Sequence, residues 1–314
     1  MISKEALELR RRKKILGRVM RLLSYDPREK SRIKVWLQRK FVSLAFYRTK
    51  AANATYEIID LAGIKTWRVV TPNSDPHKAL LFFHGGAFVF GSPRASYPLA
   101  THLAEQSGMT IYMPAYRQAP ENVFPSQIED AISSYKALIQ DYGYQSNLVA
   151  LGGESAGGNL ALGLVLKLKE IGAALPAAII CLSPWADPPA RGETYNEEMA
   201  SKDPTLGPVF LKYFKKTGDW SLMGYYAKNG PLDDQYLSPI LGDFTDCPPV
   251  MIHVGTHECL LADARSTKEA LERANCIVEY QEWDGMWHVF QSNQVPETHE
   301  SLLKFGMFLK QYVQ

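Results

Sequence analysis

The amino-acid sequence predicts an α/β fold built on a mainly parallel sheet, and three observations lead there. From residue 56 onward, short apolar runs alternate with longer stretches of helical periodicity. Two of the runs, Leu80-Leu81-Phe82-Phe83 and Met251-Ile252-His253-Val254, are apolar nearly throughout, as strands covered on both faces are. The connections between runs are short, which suits strands and helices that follow each other across one sheet. With 314 residues, 46% hydrophobic and 22% charged, the chain is globular in composition and long enough for one large core plus an appendage.

Taken in order, the first fifty residues read as helix. Leu9, Leu16, Met20 and Leu23 recur at helical spacing, as do Ile33, Leu37, Phe41 and Leu44, with Arg and Lys on the other faces. Asp26-Pro27 separates the two stretches, because a proline bars the residue before it from continuing a helix. Strands are expected over 56–60, 65–71, 79–83, 110–113, 148–152, 178–183, 250–255 and 277–282. Helices are expected over 95–107, 126–142, 157–171, 261–274 and 297–312. Residues 187–236 break the alternation: they are rich in Pro, Gly, Asp and Glu, with an amphipathic patch at 210–214 and aromatics at Trp220, Tyr225 and Tyr226. They read as an insertion between two sheet strands, of the kind that forms lids in α/β enzymes. The resulting division is 1–50 as an N-terminal helical segment, 51–186 and 237–314 as the two parts of the α/β body, and 187–236 as the insertion.

Charge follows this division. Residues 1–50 hold 16 Lys and Arg against 4 Asp and Glu, a net of +12, while the rest hold 19 against 29, a net of −10. The run Arg10-Arg11-Arg12-Lys13-Lys14 is best read as a solvated helix face that complements an acidic body. Association with an anionic membrane surface ranks below that reading. Nucleic acid is not an expected partner, since no binding motif or aromatic platform accompanies the run. No run of about 18 apolar residues exists, and the N-terminus lacks the continuous apolar stretch of a secretion signal. Cys181, Cys247, Cys259 and Cys276 form no CxxC pair and read as reduced thiols of a cytoplasmic protein.

The chemistry concentrates in a few segments. Gly153-Glu154-Ser155-Ala156-Gly157 fits G-x-S-x-G, with an expected strand before it and a helix after it. A strand that turns sharply into a helix forces its nucleophile into strained backbone angles, and only glycine neighbours avoid a clash. His84-Gly85-Gly86-Ala87 directly follows another strand, and its glycines let main-chain N–H groups approach a substrate carbonyl. With the amide of Ala156, those of Gly85 and Gly86 would form an oxyanion hole, and His84 would hold the loop rather than move protons.

A serine hydroxyl needs a base and an orienting acid, which follow the nucleophile in the order Ser, acid, His. Among His257, His288 and His299, only His288 follows the last strand in a loop entering the final helical region, so it is the expected base. The acid should follow the strand at 250–255, where Glu258 stands three residues beyond. Asp263 is the alternative, but it lies in the first turn of the next helix, where an Asp also serves the helix dipole.

On these residues the chain resembles the hormone-sensitive-lipase family of α/β-hydrolases, in particular its bacterial carboxylesterase and acetyl-esterase members. Further segments are similar to that family's pattern: Tyr116-Arg117-Gln118-Ala119-Pro120-Glu121 with Phe124-Pro125, Ser183-Pro184-Trp185-Ala186-Asp187, Ser238-Pro239 and Gly255-Thr256-His257-Glu258. Four positions depart from the pattern: Ala87 replaces a third glycine, Glu258 replaces the usual Asp, Cys259-Leu260 stands where Pro-Leu is common, and Glu154 replaces a frequent Asp. The resemblance implies an α/β-hydrolase fold, with an eight-stranded sheet, helices on both faces and a helical cap made from 1–50 and 187–236. It also implies that 116–121 organises the loop beneath the nucleophile, with Glu154 a candidate to pair there. The activity it implies is hydrolysis of a small-molecule ester of short to medium acyl chain, without cofactor or metal.

Three other readings bear on the same residues. His253 and His257 have the H-x-x-x-H spacing of zinc ligands on a helix, but they straddle a strand end and no Glu follows the first. A relative that keeps the fold without turnover would be a small-ligand receptor, although here Ser155, Glu258 and His288 are all in place. An amidase or arylformamidase would use the same three residues. The aromatics Phe210, Tyr213, Phe214 and Trp220 could shorten an acyl pocket or pack the insertion, and a homodimer is compatible with the sequence.

Overall fold

The computed structural model describes residues 2–23, 35, 36, 39, 53–223, 226, 227 and 230–314, with the side chains of 15–23 outside the description. Side chains alternate along the central strands and divide the apolar interior into two layers. Leu80 and Phe82 pack with Ile180, Met251 and Phe305 on one face, while Leu81 and Phe83 pack with Leu151, Ile179 and Ile252 on the other. This accounts for the all-apolar runs: each face of those strands has its own cover of helices.

The strands are β1 (Thr55–Leu61), β2 (Ile64–Val70), β3 (Asp75–Phe83), β4 (Met109–Pro114), β5 (Val149–Glu154), β6 (Ala178–Leu182), β7 (Val250–Gly255) and β8 (Val278–Trp283). They form one eight-stranded sheet in the order β1-β2-β4-β3-β5-β6-β7-β8. The β1–β2 and β2–β4 pairs are antiparallel and the remainder parallel. The helices of the body are α2 (Tyr97–Ser107), α3 (Ser126–Gln140), α4 (Ala156–Glu170), α7 (Leu261–Arg273) and α8 (Pro296–Tyr312). Of these, α2 and α8 pack on each other, as do α3 and α4. Only β3 departs noticeably from the sequence expectation, starting at Asp75 rather than at residue 79. Asp75 pairs with Met109 across a register shift ahead of Ala79, and the polar Pro76-His77-Lys78 between them hides that pairing from an apolar pattern.

Helix α1 (Lys4–Leu23) covers the end of the sheet that carries His288. Ala6, with Ile2 and Leu9, packs against Trp283, Met286, Trp287, Phe290 and Val295. Ser3 donates to Glu297 from its backbone N–H at 2.6 Å and from Oγ at 2.9 Å. The expected apolar positions Ile33, Leu37, Phe41 and Leu44 lie outside the described residues, as does the Asp26-Pro27 break. So do the side chains of Leu16, Met20 and Leu23.

The insertion contains α5 (Glu197–Lys202) and α6 (Gly207–Thr217). Its aromatics pack mainly on one another: Trp220 stacks on Phe214 at 4.3 Å, and Tyr195 meets Phe210 edge-on at 5.4 Å. Tyr226 instead stacks on Phe88 at 4.0 Å, tying the insertion to the loop after β3, whereas Tyr225 is outside the described residues. Cys181 and Cys259 are buried, Cys247 and Cys276 half-buried, and all four are free thiols. Among the described residues, no helix is long and apolar enough to cross a membrane.

Candidate active site

Ser155 sits between β5 and α4 with φ 55° and ψ −119°, a conformation that L residues rarely adopt. The neighbouring glycines show why this turn is possible. A Cβ on Gly153 would lie 2.1 Å from the Gly157 carbonyl oxygen, and one on Gly157 would lie 1.9 Å from that of Phe83. The turn is anchored by Ser155 N–H donating to Leu182 O at 2.9 Å and by Trp185 N–H donating to Ser155 O at 3.0 Å. Gly157→Ala is therefore expected to destabilise the protein by about 3 kcal/mol or more, because a backbone oxygen cannot yield as a side chain would. Urea unfolding checks this: a wild-type midpoint would mean a looser turn than the one described.

Glu258 and His288, the expected acid and base, are in contact. Glu258, fully buried beyond β7, accepts a hydrogen bond from His288 Nδ1–H through Oε2 at 2.7 Å. Its other oxygen, Oε1, accepts from Gly255 N–H at 2.7 Å and from Ser183 Oγ at 2.8 Å. Both carboxylate oxygens thus have donors, which offsets the cost of burying them. Burial works against the charged form of His288, but the hydrogen bond and charge of Glu258, aided by Asp203 and Glu154, more than offset it and raise its pKa. Ser183 also accepts from Val289 N–H at 3.2 Å, so one hydroxyl ties the acid to the backbone beside the base. Ser155 Oγ makes no hydrogen bond with any described residue, which leaves it free for a substrate. Contacts of this kind often tighten only once a substrate is bound.

The loop after β3 lies against Ser155: a Cβ on Gly85 would sit 3.1 Å from Ser155 Cβ. Its amides are not equivalent. Gly85 N–H points to Glu154 Oε1 at 3.3 Å, whereas the N–H groups of Gly86 and Ala87 have no acceptor among the described residues. Glu154 itself accepts from Ser96 Oγ at 2.8 Å and Ser292 Oγ at 3.3 Å, linking the β3 loop, the nucleophile turn and the His288 loop. Glu154, a candidate to pair within 116–121, makes no hydrogen bond there; Arg117 is held instead by Asp130 at 2.7 Å and Glu129 at 3.0 Å.

Segment 116–121 does organise the loop beneath the nucleophile. Tyr116 donates to His84 O at 2.7 Å and stacks on the His84 ring at 4.4 Å, and Ala119 N–H donates to Phe88 O at 2.9 Å. His84 is buried with Nδ1 against Gly85 O, and burial pushes its pKa down to about 4, so it stays neutral and structural. No motif points to Arg39, which reaches in from the N-terminal segment. Its Nε donates to Val89 O at 2.7 Å, its Nη2 to Ala119 O, and its Nη1 pairs with Glu121 at 2.8 Å. Only the basic character of residues 1–50 hinted that such a residue existed.

The alternative residues are placed elsewhere. Asp263 is buried and accepts from Asp187 N–H at 2.8 Å, joining the start of the insertion to α7 rather than reaching His288. Burial, with the charge of Asp187, pushes its pKa well above the usual carboxylate range, so it is more than a helix-dipole residue. Asp187 in turn is clamped by Arg191 at 2.6 Å. His253 is inside the sheet, with Nδ1 2.8 Å from Ser301 Oγ, and His257 lies beyond the strand, its backbone N–H donating to Met286 O at 2.9 Å. His299 is exposed on α8.

With this geometry in view, known proteins give consistent likenesses. A sequence model described as the alpha/beta hydrolase fold matches residues 80–292. An acetyl-hydrolase of Streptomyces hygroscopicus is 33% identical over 243 residues, 77% of this chain and 78% of that protein. An esterase of Acinetobacter venetianus is 29% identical over 262 residues, 82% of each chain. The crystal structure of an esterase from the bacterial hormone-sensitive lipase family superposes with a TM-score of 0.87 at 28% identity, covering 100% of both chains.

Proposed function

The chain belongs to the alpha/beta hydrolase fold family, and from that premise we propose that it is a serine carboxylesterase acting on short- to medium-chain acyl esters through an acyl-enzyme. The observation that carries the reading is the 2.7 Å Glu258–His288 pair, held by Ser183, whose neighbour Leu182 accepts from the N–H of the strained Ser155. Esterase and acetyl-hydrolase activities of similar proteins point the same way.

In this mechanism His288 Nε2 takes the Ser155 proton as Oγ attacks the ester carbonyl, while Glu258 keeps Nδ1 protonated and stabilises the imidazolium. The tetrahedral intermediate collapses when the imidazolium gives its proton to the departing alkoxide, releasing the alcohol and leaving the acyl group on Ser155. Water, deprotonated by the same imidazole, then attacks the acyl-enzyme, and the carboxylic acid leaves as Oγ regains its proton. The oxyanion needs donors that are not already engaged. That favours Gly86, Ala87 and Ala156 N–H, with Gly85 N–H committed to Glu154 and serving to position the loop.

The segments 1–50 and 187–236 are assigned as a roof over Ser155. In support, α1 packs on both α6 and the His288 loop, and Tyr226 rests on Phe88. A cytoplasmic location is part of this reading and accords with four free thiols.

Initial rates on p-nitrophenyl acetate, butyrate, octanoate and palmitate test the proposal. Turnover is expected to be greatest among the first three and near background for palmitate. Hydrolysis of none of them, with tight binding of a small ligand, would replace the enzyme by a receptor. Preference for an anilide over the matched ester would make it an amidase.

A further inference from the structure

Two of the four free thiols, Cys247 and Cys276, lie at the end of the sheet opposite Ser155, just before β7 and β8 begin. Ahead of β7, the turn 244–247 closes with Cys247 N–H donating to Phe244 O at 2.9 Å. Asp246 there takes φ 57°, a left-handed conformation that Asp tolerates better than most residues. Ahead of β8, α7 ends with Asn275 also at φ 57° and with Cys276 N–H donating to Leu271 O at 3.0 Å. Each turn thus delivers a cysteine directly after its left-handed residue.

Strand pairing brings the two turns together. Val250 lies opposite Val278 in the β7–β8 pair, and Val250 N–H donates to Ile277 O at 2.9 Å. Cys276 Sγ–H donates to Phe244 O at 2.8 Å, the same oxygen that Cys247 N–H reaches. Both side chains pack on one apolar layer, and both are half-buried, so small solutes can reach them. The other thiols are placed differently. Cys181 is buried inside β6 opposite Ile252, and Cys259 lies beyond the far end of β7.

A cation stands beside the pair. Lys169, in the last turn of α4, donates through Nζ to Asp243 O at 2.7 Å, one residue before Phe244. Burial raises the pKa of both thiols, and the Lys169 ammonium draws both back down. For Cys276 the backbone N–H and thiol of Cys247 act in the same direction as Lys169, while Asp246 opposes them. A partly exposed thiol near an ammonium is the setting in which cysteines react.

We propose that Cys247 and Cys276 are a modification site, a dithiol that hydrogen peroxide converts to a disulfide fastening the segment before β7 to the start of β8. The Cys276 thiolate attacks a peroxide oxygen: an S–O bond forms, the O–O bond breaks, and the hydroxide released takes up a proton to become water. Cys247, its proton passing to solvent, attacks the sulfenic sulfur; the S–S bond forms, the S–O bond breaks, and the second hydroxide leaves as water. The two thiols lose two electrons, and one peroxide is reduced to two waters. The bond ties together the two strands whose opposite ends lead to Glu258 and His288, and it restricts the unfolded chain between residues 247 and 276.

Hydrogen peroxide treatment followed by alkylation in denaturant, digestion and mass spectrometry reads the linkage. Thermal unfolding with and without dithiothreitol reads its effect. The expected result is a peptide pair joined through Cys247 and Cys276, with Cys181 and Cys259 alkylated, and a melting temperature about 5 °C or more above that of the reduced protein. Cys247→Ser and Cys276→Ser should each lose both the joined peptides and the dithiothreitol-sensitive part of the melting temperature. Four alkylated thiols after peroxide, linkage to Cys181, or separate sulfinic acids on Cys247 and Cys276 overturn the proposal. So does a linked protein that melts with the reduced one. The mapping is made on the wild type, so it decides even where a serine variant does not fold. Neither readout involves ester hydrolysis, which keeps this outcome separate from that of the esterase reading.

Discussion

Replacing Ser155 with Ala is expected to lower ester turnover roughly 10⁵- to 10⁶-fold while leaving the melting temperature close to wild type. The activity loss follows from deleting the atom that becomes acylated in the proposed mechanism. The stability expectation follows from the structure: Ser155 Oγ makes no hydrogen bond with any described residue. The strained backbone at φ 55° is also no worse for Ala than for Ser. Burst kinetics with p-nitrophenyl butyrate, alongside thermal unfolding, read both quantities. Retention of more than trace turnover would remove Ser155 from the mechanism.

The next largest effect separates the two candidate acids. Glu258 Oε1 is pinned by Gly255 N–H and Ser183 Oγ–H, so in Glu258→Gln the amide oxygen must take that place and the NH2 group must face His288 Nδ1. Nδ1 would then have to accept, which puts the imidazole proton on Nε2 and leaves the nucleophile without a base. A wrong tautomer of this kind costs about 10⁴ in kcat in serine hydrolases of other folds. Asp263→Asn should be mild in activity, since its pKa already lies well above the usual range and the neutral amide resembles the neutral acid. Its effect belongs to stability. The proton held by Asp263 in the folded state contributes stability that is fully present below about pH 4, the unfolded value, and is lost as pH rises through the higher folded one. The Asn variant should lack that decline, so its melting temperature should fall less than that of wild type between pH 4 and neutrality. A larger loss of kcat/KM in Asp263→Asn than in Glu258→Gln would move the acid role to Asp263.

The features that could be read along the chain are those fixed by local sequence. β7 covers 250–255 as expected, and α4 starts at Ala156 directly after the G-x-S-x-G serine, because apolar runs and glycine turns act over a few residues. Ser155, Glu258 and His288 were legible for a related reason: each follows a recognisable strand and the chain order is characteristic. The supporting contacts were not legible. Arg39 reaches Val89 and Ala119 from 50 and 80 residues away, and Ser183 joins Glu258 and Val289 across 75 and 106. Nothing about a single Arg or Ser in a sequence says which distant carbonyl or carboxylate it will meet. Glu154 likewise meets Ser96, Gly85 and Ser292 across 58, 69 and 138 residues.

Nine described non-glycine residues have positive φ, and five of them, Ala87, Phe88, Ser155, Ser183 and Val289, lie in the loops around Ser155 and His288. At about 1–3 kcal/mol each, they amount to a sum comparable with the whole folding free energy of an ordinary domain. Such loops hold their shape only because neighbours such as Glu154, Ser183 and Arg39 each fasten two or three segments together. The consequence concerns mutational drift. Substitutions on the outer faces of α3 or α8 can accumulate with little effect. A change to one of those three fastenings would let a strained loop relax into an easier conformation, so that the protein stays folded and loses the arrangement that makes it an enzyme.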